Sequence, residues 1–336
     1  MAVSDTGPPL PRELQVEVTG ACNLACQMCL VRYRPKLGKA EGAMCFHTFK
    51  GLVDELPALE KVTLQGLGEP LLAPDLFRMV EYAAARNIRI GFNTNGTFLT
   101  RETSQRLVAG GLDWLNVSVD GATAATYESI RHGSDFARVR KNVIELVHVL
   151  RAERAERPTV SLVFVAMRRN VAELPDLVRL AAEWGVGRLY VQNLSHSFSD
   201  TDAAGSYREI RQFAESEALW AERNDEAERL FAEARAVAES IGVDLRLPRL
   251  EEPPPARSLG SPGCHWPFSA AYVTHDAKVQ PCCMVMGADR AILGDAKREG
   301  FAAVWRGDAY NSFRAALRTD EPPEVCRGCS LYRRVF

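Results

Sequence analysis

The sequence predicts an α/β fold, a partial (β/α)6 barrel followed by a small cysteine-rich C-terminal unit. Three observations carry that expectation. Six short β-like runs alternate with amphipathic helical patterns between residues 14 and 193, the pattern of parallel strands joined by helical crossovers. Six such units are too few for the closed eight-stranded barrel, which leaves an open one. Five of the nine cysteines fall between 264 and 329, in a piece too short to bury much core and suited to a metal staple.

The strands are LQVEVT (14–19), KVTLQG (61–66), IRIGFN (88–93), WLNVSV (114–119), TVSLVFV (159–165) and RLYVQN (188–193). Helical periodicity runs over 46–56, 74–86, 101–109, 123–150 and 171–184 between them. In folds of this kind, chemistry gathers at the C-terminal ends of the strands. Residues 195–245, rich in Ala, Glu and Arg, read as a helical connector whose charge is a solvated face. RLEEPPPARSLGSPG (249–263) marks a Pro-rich boundary. The expected units are a barrel at 1–193, connector and linker at 194–260, and an auxiliary unit at 261–336.

At 336 residues, 46% hydrophobic and a formal net charge of −2, the composition is that of an ordinary globular protein. It offers no electrostatic reason for nucleic acid or an acidic membrane as partner. MAVSDTGPPLPREL lacks the basic and then apolar segments of a secretory signal, and no apolar run reaches membrane-span length. A cytoplasmic location is expected, where nine cysteines are thiols or metal ligands and not disulfides.

ACNLACQMCL places Cys22, Cys26 and Cys29 as C-x3-C-x2-C just after the first strand. Three thiolates can hold three irons of a [4Fe–4S] cube and leave the fourth iron open. Structural zinc would need a fourth ligand, with Cys45 or His47 at hand. Cys264, Cys282, Cys326 and Cys329 form a second set of two singles and a C-x2-C, enough for a fully protein-ligated [4Fe–4S] cluster or for zinc. Two cysteines are left over: Cys45, read as a buried inert thiol, and Cys283.

With its three-cysteine motif ending the first strand, the sequence resembles the radical S-adenosylmethionine (SAM) enzymes. The resemblance implies a partial (β/α)6 radical SAM barrel with a small C-terminal twitch-like Fe–S domain. It implies SAM and two [4Fe–4S] clusters as cofactors, and an external one-electron reductant such as flavodoxin or ferredoxin. SAM would bind the open iron, and its reductive cleavage would give a 5′-deoxyadenosyl radical. GLGEPLL (66–72) matches the family's glycine-rich turn, so Gly66, Gly68, Glu69 and Pro70 are expected at the SAM amino group. NTNG and SVDG put Asn95, Ser118 and Asp120 near its carboxylate and ribose, and Arg168 within reach of the carboxylate. Gln192 and Met28 are expected beside the adenine.

The run from CHWPFSAAYVTHDAKVQPCC to CRGC looks like the auxiliary-cluster region of SPASM and twitch proteins, with cysteines enough for one cluster. That arrangement is similar to the aminocyclitol dehydrogenase and sugar epimerases of aminoglycoside and avilamycin biosynthesis. The implied substrate is a small carbohydrate-type molecule whose carbinol C–H loses hydrogen. Epimerisation is expected, with Cys283 as the thiol that returns hydrogen; oxidation to a ketone through the auxiliary cluster is the alternative. Ribosomal-peptide modification ranks third, because no peptide-recognition domain precedes the first strand, and a zinc-binding module is the non-enzymatic reading. Tyr33, Glu69 and His196 are candidate proton acceptors, His265 and His275 candidate substrate contacts, and VRYRPK (31–36) a basic loop.

Overall fold

Alternation along the strands decides which face is which, because successive side chains point to opposite sides of a sheet. In LQV, VTLQ, IGFN, LNVS and LYVQ the apolar positions bury Leu14, Val16, Val62, Leu64, Ile90, Phe92, Leu115, Val117, Leu189 and Val191 in one continuous core. The intervening positions are polar and turn inward. The computed structural model describes residues 8–33, 42–220, 224–251, 264–285, 287 and 290–336. The basic loop from residue 34 onward and most of the Pro-rich linker lie outside the described residues.

All six expected strands form: β1 (Glu13–Val16), β2 (Lys61–Thr63), β3 (Arg89–Thr94), β4 (Trp114–Ser118), β5 (Thr159–Ala166) and β6 (Arg188–Asn193). Each pairs in parallel with the next, as crossover helices require. Thr100 and Thr123 cap two of those helices by accepting from the backbone N–H three residues on.

Three features differ from the expectation. The pattern at 123–150 is two helices, Ala124–Ile130 and Phe136–Ala152. Gly133, at φ +91°, turns the chain between them, and the Asp135 carboxylate caps the second by accepting from the Arg138 N–H. The connector holds the helices Arg208–Glu217 and Asp225–Ile241 and also a seventh parallel strand, β7 (Asp244–Arg246), on β6. The C-terminal unit continues the same sheet: β8 (Ala270–Val273) lies parallel to β1, and β9 (Lys278–Gln280) and β10 (Gly294–Asp295) follow antiparallel. The result is one ten-stranded sheet, β10-β9-β8-β1-β2-β3-β4-β5-β6-β7. AAYV in β8 is buried at all four positions, which suits a strand covered on both faces, and its one side-chain polar atom, the Tyr272 hydroxyl, donates to Glu17. No helix among the described residues is long and apolar enough to cross a membrane.

Candidate active site

The three-cysteine loop is docked by its backbone onto the break between the two split helices. Ala25 N donates to His132 O and Gln27 N to Ile130 O, both at 3.0 Å, and Cys29 N donates to Cys26 O at 3.1 Å. Burial pushes the Cys26 thiol up to about 12, and the Cys22 thiol is raised by the same cause. Cys22, Cys26 and Cys29 face a cavity of about 230 Å³ at the C-terminal ends of the strands.

Opposite them lies the turn after β2. A Cβ on Gly68 would sit 2.2 Å from Thr19 O and 2.6 Å from Ala21 O, and one on Gly66 would sit 2.3 Å from Glu17 Cγ. Both positions therefore exclude every side chain. The Glu69 carboxylate accepts from Leu71 N, Thr94 Oγ1 and Asn95 N, at 3.2, 2.7 and 2.8 Å. It ties the turn to the end of β3. Asn95 Nδ2 donates to Asn23 Oδ1 at 2.9 Å and points at Cys22 Sγ from 3.9 Å.

Of the residues expected around SAM, Met28, Gly66, Gly68, Glu69, Asn95, Ser118 and Gln192 line this cavity. Pro70, Asp120 and Arg168 do not. Pro70 is buried as the first residue of a 3-10 turn, where its fixed φ serves the backbone. Arg168 is exposed, with its backbone N–H on Glu217 O at 3.0 Å. Asp120 is fully buried and pairs with Arg131 Nη2 at 2.7 Å.

Arg131 was not anticipated. It closes the first of the split helices, lines the cavity, and directs Nη1 at Cys26 Sγ from 3.9 Å. Burial opposes its charge, but Asp120 and the Cys26 thiol outweigh that and hold it protonated. The visible signal was Gly133 followed by an Asp135 cap, which breaks the helix just after Arg131. The connector was also underrated: Ile210, Phe213 and Ala214 of helix Arg208–Glu217 form one cavity wall.

His196 lines the cavity, but both ring nitrogens are engaged. Nδ1 accepts from Phe198 N at 2.8 Å and Nε2 donates to Val325 O at 2.6 Å. Burial pushes it down to about 4, so the ring is neutral. Tyr33 donates its hydroxyl to Gln27 O, and the Glu69 carboxylate accepts three hydrogen bonds, so all three expected proton acceptors are engaged in structural hydrogen bonds. His275 turns inward: its Nδ1 lies 2.8 Å from Glu17 Oε1, while Glu17 Oε2 accepts from Leu67 N and Tyr272 OH at 2.9 Å. This buried carboxylate links the glycine turn to β8.

In the C-terminal unit, burial raises the thiols of Cys264, Cys282, Cys283, Cys326 and Cys329, with Cys283 and Cys326 at about 12 and Cys329 at about 11. Cys282 is raised further by all four of the others; Cys283 is raised by Cys329 and Cys264. Cys283 also lines a second cavity, of about 400 Å³, inside the barrel. Cys45, expected to be buried, is exposed at a helix N-terminus with its Sγ 3.2 Å from Thr48 Oγ1.

Residues 16–189 match the model of the Radical SAM superfamily. The chain belongs to that superfamily. Residues 264–330 match SPASM, the iron–sulfur cluster-binding domain. The mycofactocin maturase MftC of Mycobacterium tuberculosis is 33% identical over 59% of this chain and 48% of its own length. The chain thus spans about half the length of the maturases it matches. The AdoMet-dependent heme synthase of Methanosarcina barkeri is 26% identical over 95% of this chain and 91% of its own. The PqqA peptide cyclase of Gluconobacter oxydans is 28% identical over 98% and 85%. In fold, the chain is similar to Streptococcus suis SuiB bound to its precursor peptide SuiA, with TM-score 0.68, 16% identity, and 97% and 71% of the two chains covered.

As a radical SAM enzyme with a SPASM domain, the protein uses SAM and two [4Fe–4S] clusters. The residues present fit those groups. Cys22, Cys26 and Cys29 line one cavity, and Cys264, Cys326 and Cys329 each raise the buried Cys282 thiol, so both sets offer soft sulfur donors that suit iron.

The expected substrate and outcome are overturned. Epimerisation or dehydrogenation of a sugar or aminocyclitol carbinol is not what these relatives are named for; they are maturases, a peptide cyclase and a heme synthase. The carbohydrate-type partner falls with it, and the hydrogen-donor role expected of Cys283 loses the epimerisation on which it rested. A leftover thiol beside a cluster site is weak evidence, because Cys283 shares the burial and the neighbours of the cluster cysteines. The zinc-module reading gives way to family membership.

Proposed function

We propose that this radical SAM enzyme modifies a ribosomally made peptide. The observation that carries the reading is the match to PqqA peptide cyclase over 98% of this chain. The likeness to SuiB at 97% coverage supplies a fold compatible with it. When bound and reduced, the first cluster with SAM supplies the radical that removes hydrogen from substrate.

In this reading Cys22, Cys26 and Cys29 hold the first cluster. Cys264, Cys282, Cys326 and Cys329 hold the auxiliary one, and Cys282 is preferred over Cys283 because four neighbouring thiols raise its pKa against two for Cys283. Gly66 and Gly68 bring backbone close to the SAM amino group, and Glu69 fixes that backbone from beneath. Asn95, Ser118 and Gln192 offer hydrogen bonds, and Met28 an apolar surface. Arg131 compensates the negative charge of thiolate-bound iron. A flavodoxin or ferredoxin supplies the electron.

The test is anaerobic turnover with peptides encoded by short reading frames near the gene, using mass spectrometry of the peptide and of 5′-deoxyadenosine. A peptide mass change that tracks 5′-deoxyadenosine supports the reading. A carboxylated porphyrin that is turned over while every such peptide is inert refutes it.

A further inference from the structure

The second cavity lies inside the barrel and shares Gln65, Asn93 and Gln192 of its lining with the first. Its polar lining comes from the inward positions of the strands, and six of those residues, Gln15, Thr63, Gln65, Asn93, Asn116 and Gln192, are uncharged. Its charged pair, Glu13 and Lys61, is self-neutralising at 3.2 Å. Arg131, in the upper cavity, is committed to Asp120, and the Glu69 carboxylate already accepts three hydrogen bonds. The Arg and Lys side chains that line the two cavities are thus each paired with a carboxylate. An ion entering would lose its hydration without a partner.

The carboxamides do have capacity to spare. Asn116 Nδ2 donates to Asn93 Oδ1 and Gln15 Nε2 to Gln65 O, both at 3.0 Å. The side chains of Gln65 and Gln192 make no hydrogen bond to another described residue. Each carboxamide carries both donors and an acceptor, the complement of a peptide group. Trp114, Trp266, Tyr272 and Met284 supply apolar surface around them.

Building on the peptide reading, we infer that the barrel interior takes a peptide residue with an uncharged side chain, together with its flanking amides, and that Gln65 and Asn116 set this specificity. Charged residues of the peptide stay outside the barrel.

The experiment uses the full chain carrying both clusters and SAM. Blocked tripeptides, N-acetyl-Ala-X-Ala-amide with X as Tyr, Val, Asn, Asp or Lys, and coproporphyrin are offered in anaerobic equilibrium dialysis. The neutral peptides should be retained at least tenfold better than those with Asp or Lys. Gln65→Leu and Asn116→Leu should each weaken neutral-peptide retention about fivefold, with the iron content of the wild type. Gln65→Arg should shift preference toward the Asp peptide about tenfold, a gain that a misfolded variant cannot produce. Equal retention of charged and neutral peptides overturns this inference and leaves the peptide reading standing. Retention of coproporphyrin with none of the peptides overturns both.

Discussion

Replacing Arg131 by Met isolates the largest buried charge beside the cluster loop. Arg131 is 8% exposed and Asp120 0%, and their contact is 2.7 Å. Without the guanidinium, the Asp120 carboxylate keeps the backbone N–H of Val165 at 2.8 Å. Breaking a buried pair from one side costs about 3–5 kcal/mol, because the remaining charge is left buried without a counter-charge. Neutralising both sides, as Arg131→Met with Asp120→Asn, should cost about 2 kcal/mol or less, since a buried pair loses most of its Coulomb gain to desolvation. Urea unfolding of the reduced, iron-free chain, followed by circular dichroism, measures the single and double variants as a cycle. The single variant should also take up about four irons in place of about eight, one cube instead of two, because Cys26 loses its counter-charge. If Arg131→Met unfolds within about 1 kcal/mol of wild type and binds the full iron complement, Arg131 is not the countercharge described.

Gly68→Ala should weaken SAM binding about tenfold or more, since relieving a 2.2 Å approach to Thr19 O moves the turn at an overpacking cost of about 1–3 kcal/mol; equilibrium dialysis with labelled SAM checks it, and unchanged affinity contradicts it. Cys282→Ala should lose about four irons while Cys283→Ala keeps all of them, and the opposite result in iron analysis reverses the ligand assignment. Arg290, 9% exposed and paired with Asp200 at 2.7 Å, lowers the pKa of the Cys326 and Cys329 thiols against the larger effect of burial. Arg290→Gln should therefore move the auxiliary cluster to a more negative midpoint in an EPR-monitored redox titration, because a positive charge that favours added electrons has gone. An unchanged or more positive midpoint contradicts that.

Much of the molecule was legible before folding. Most of the six strands were readable because apolar and polar residues alternate along them, while β5 was readable as a short apolar, β-branched run, LVFVA. The three-cysteine loop was readable because its ligands are local, within eight residues. The helix break at Arg131 was also visible in Gly133 and Asp135, yet its meaning was not, since Asp120 and Cys26 lie 11 and 105 positions away in the chain. Arg168 was chosen for being an arginine near a strand end. The fold places its exposed neighbour Arg169 against Glu217 instead, and gives the buried role to Arg131.

The sequence by itself determined the generator of chemistry: a radical SAM barrel, its three-cysteine motif and the glycine turn. Those depend on short-range spacing and backbone sterics, which a linear string records. Tertiary structure alone decided what surrounds the reacting centre. It continued the C-terminal unit onto β1 through β8, engaged Glu69 and His196 in hydrogen bonds, and gathered inward-facing carboxamides into one chamber whose Glu13 and Lys61 pair with each other. Which partner a polar side chain finds depends on the register of strands far apart in sequence. Whether that side chain is left free for a substrate is settled only when the sheet has closed around it.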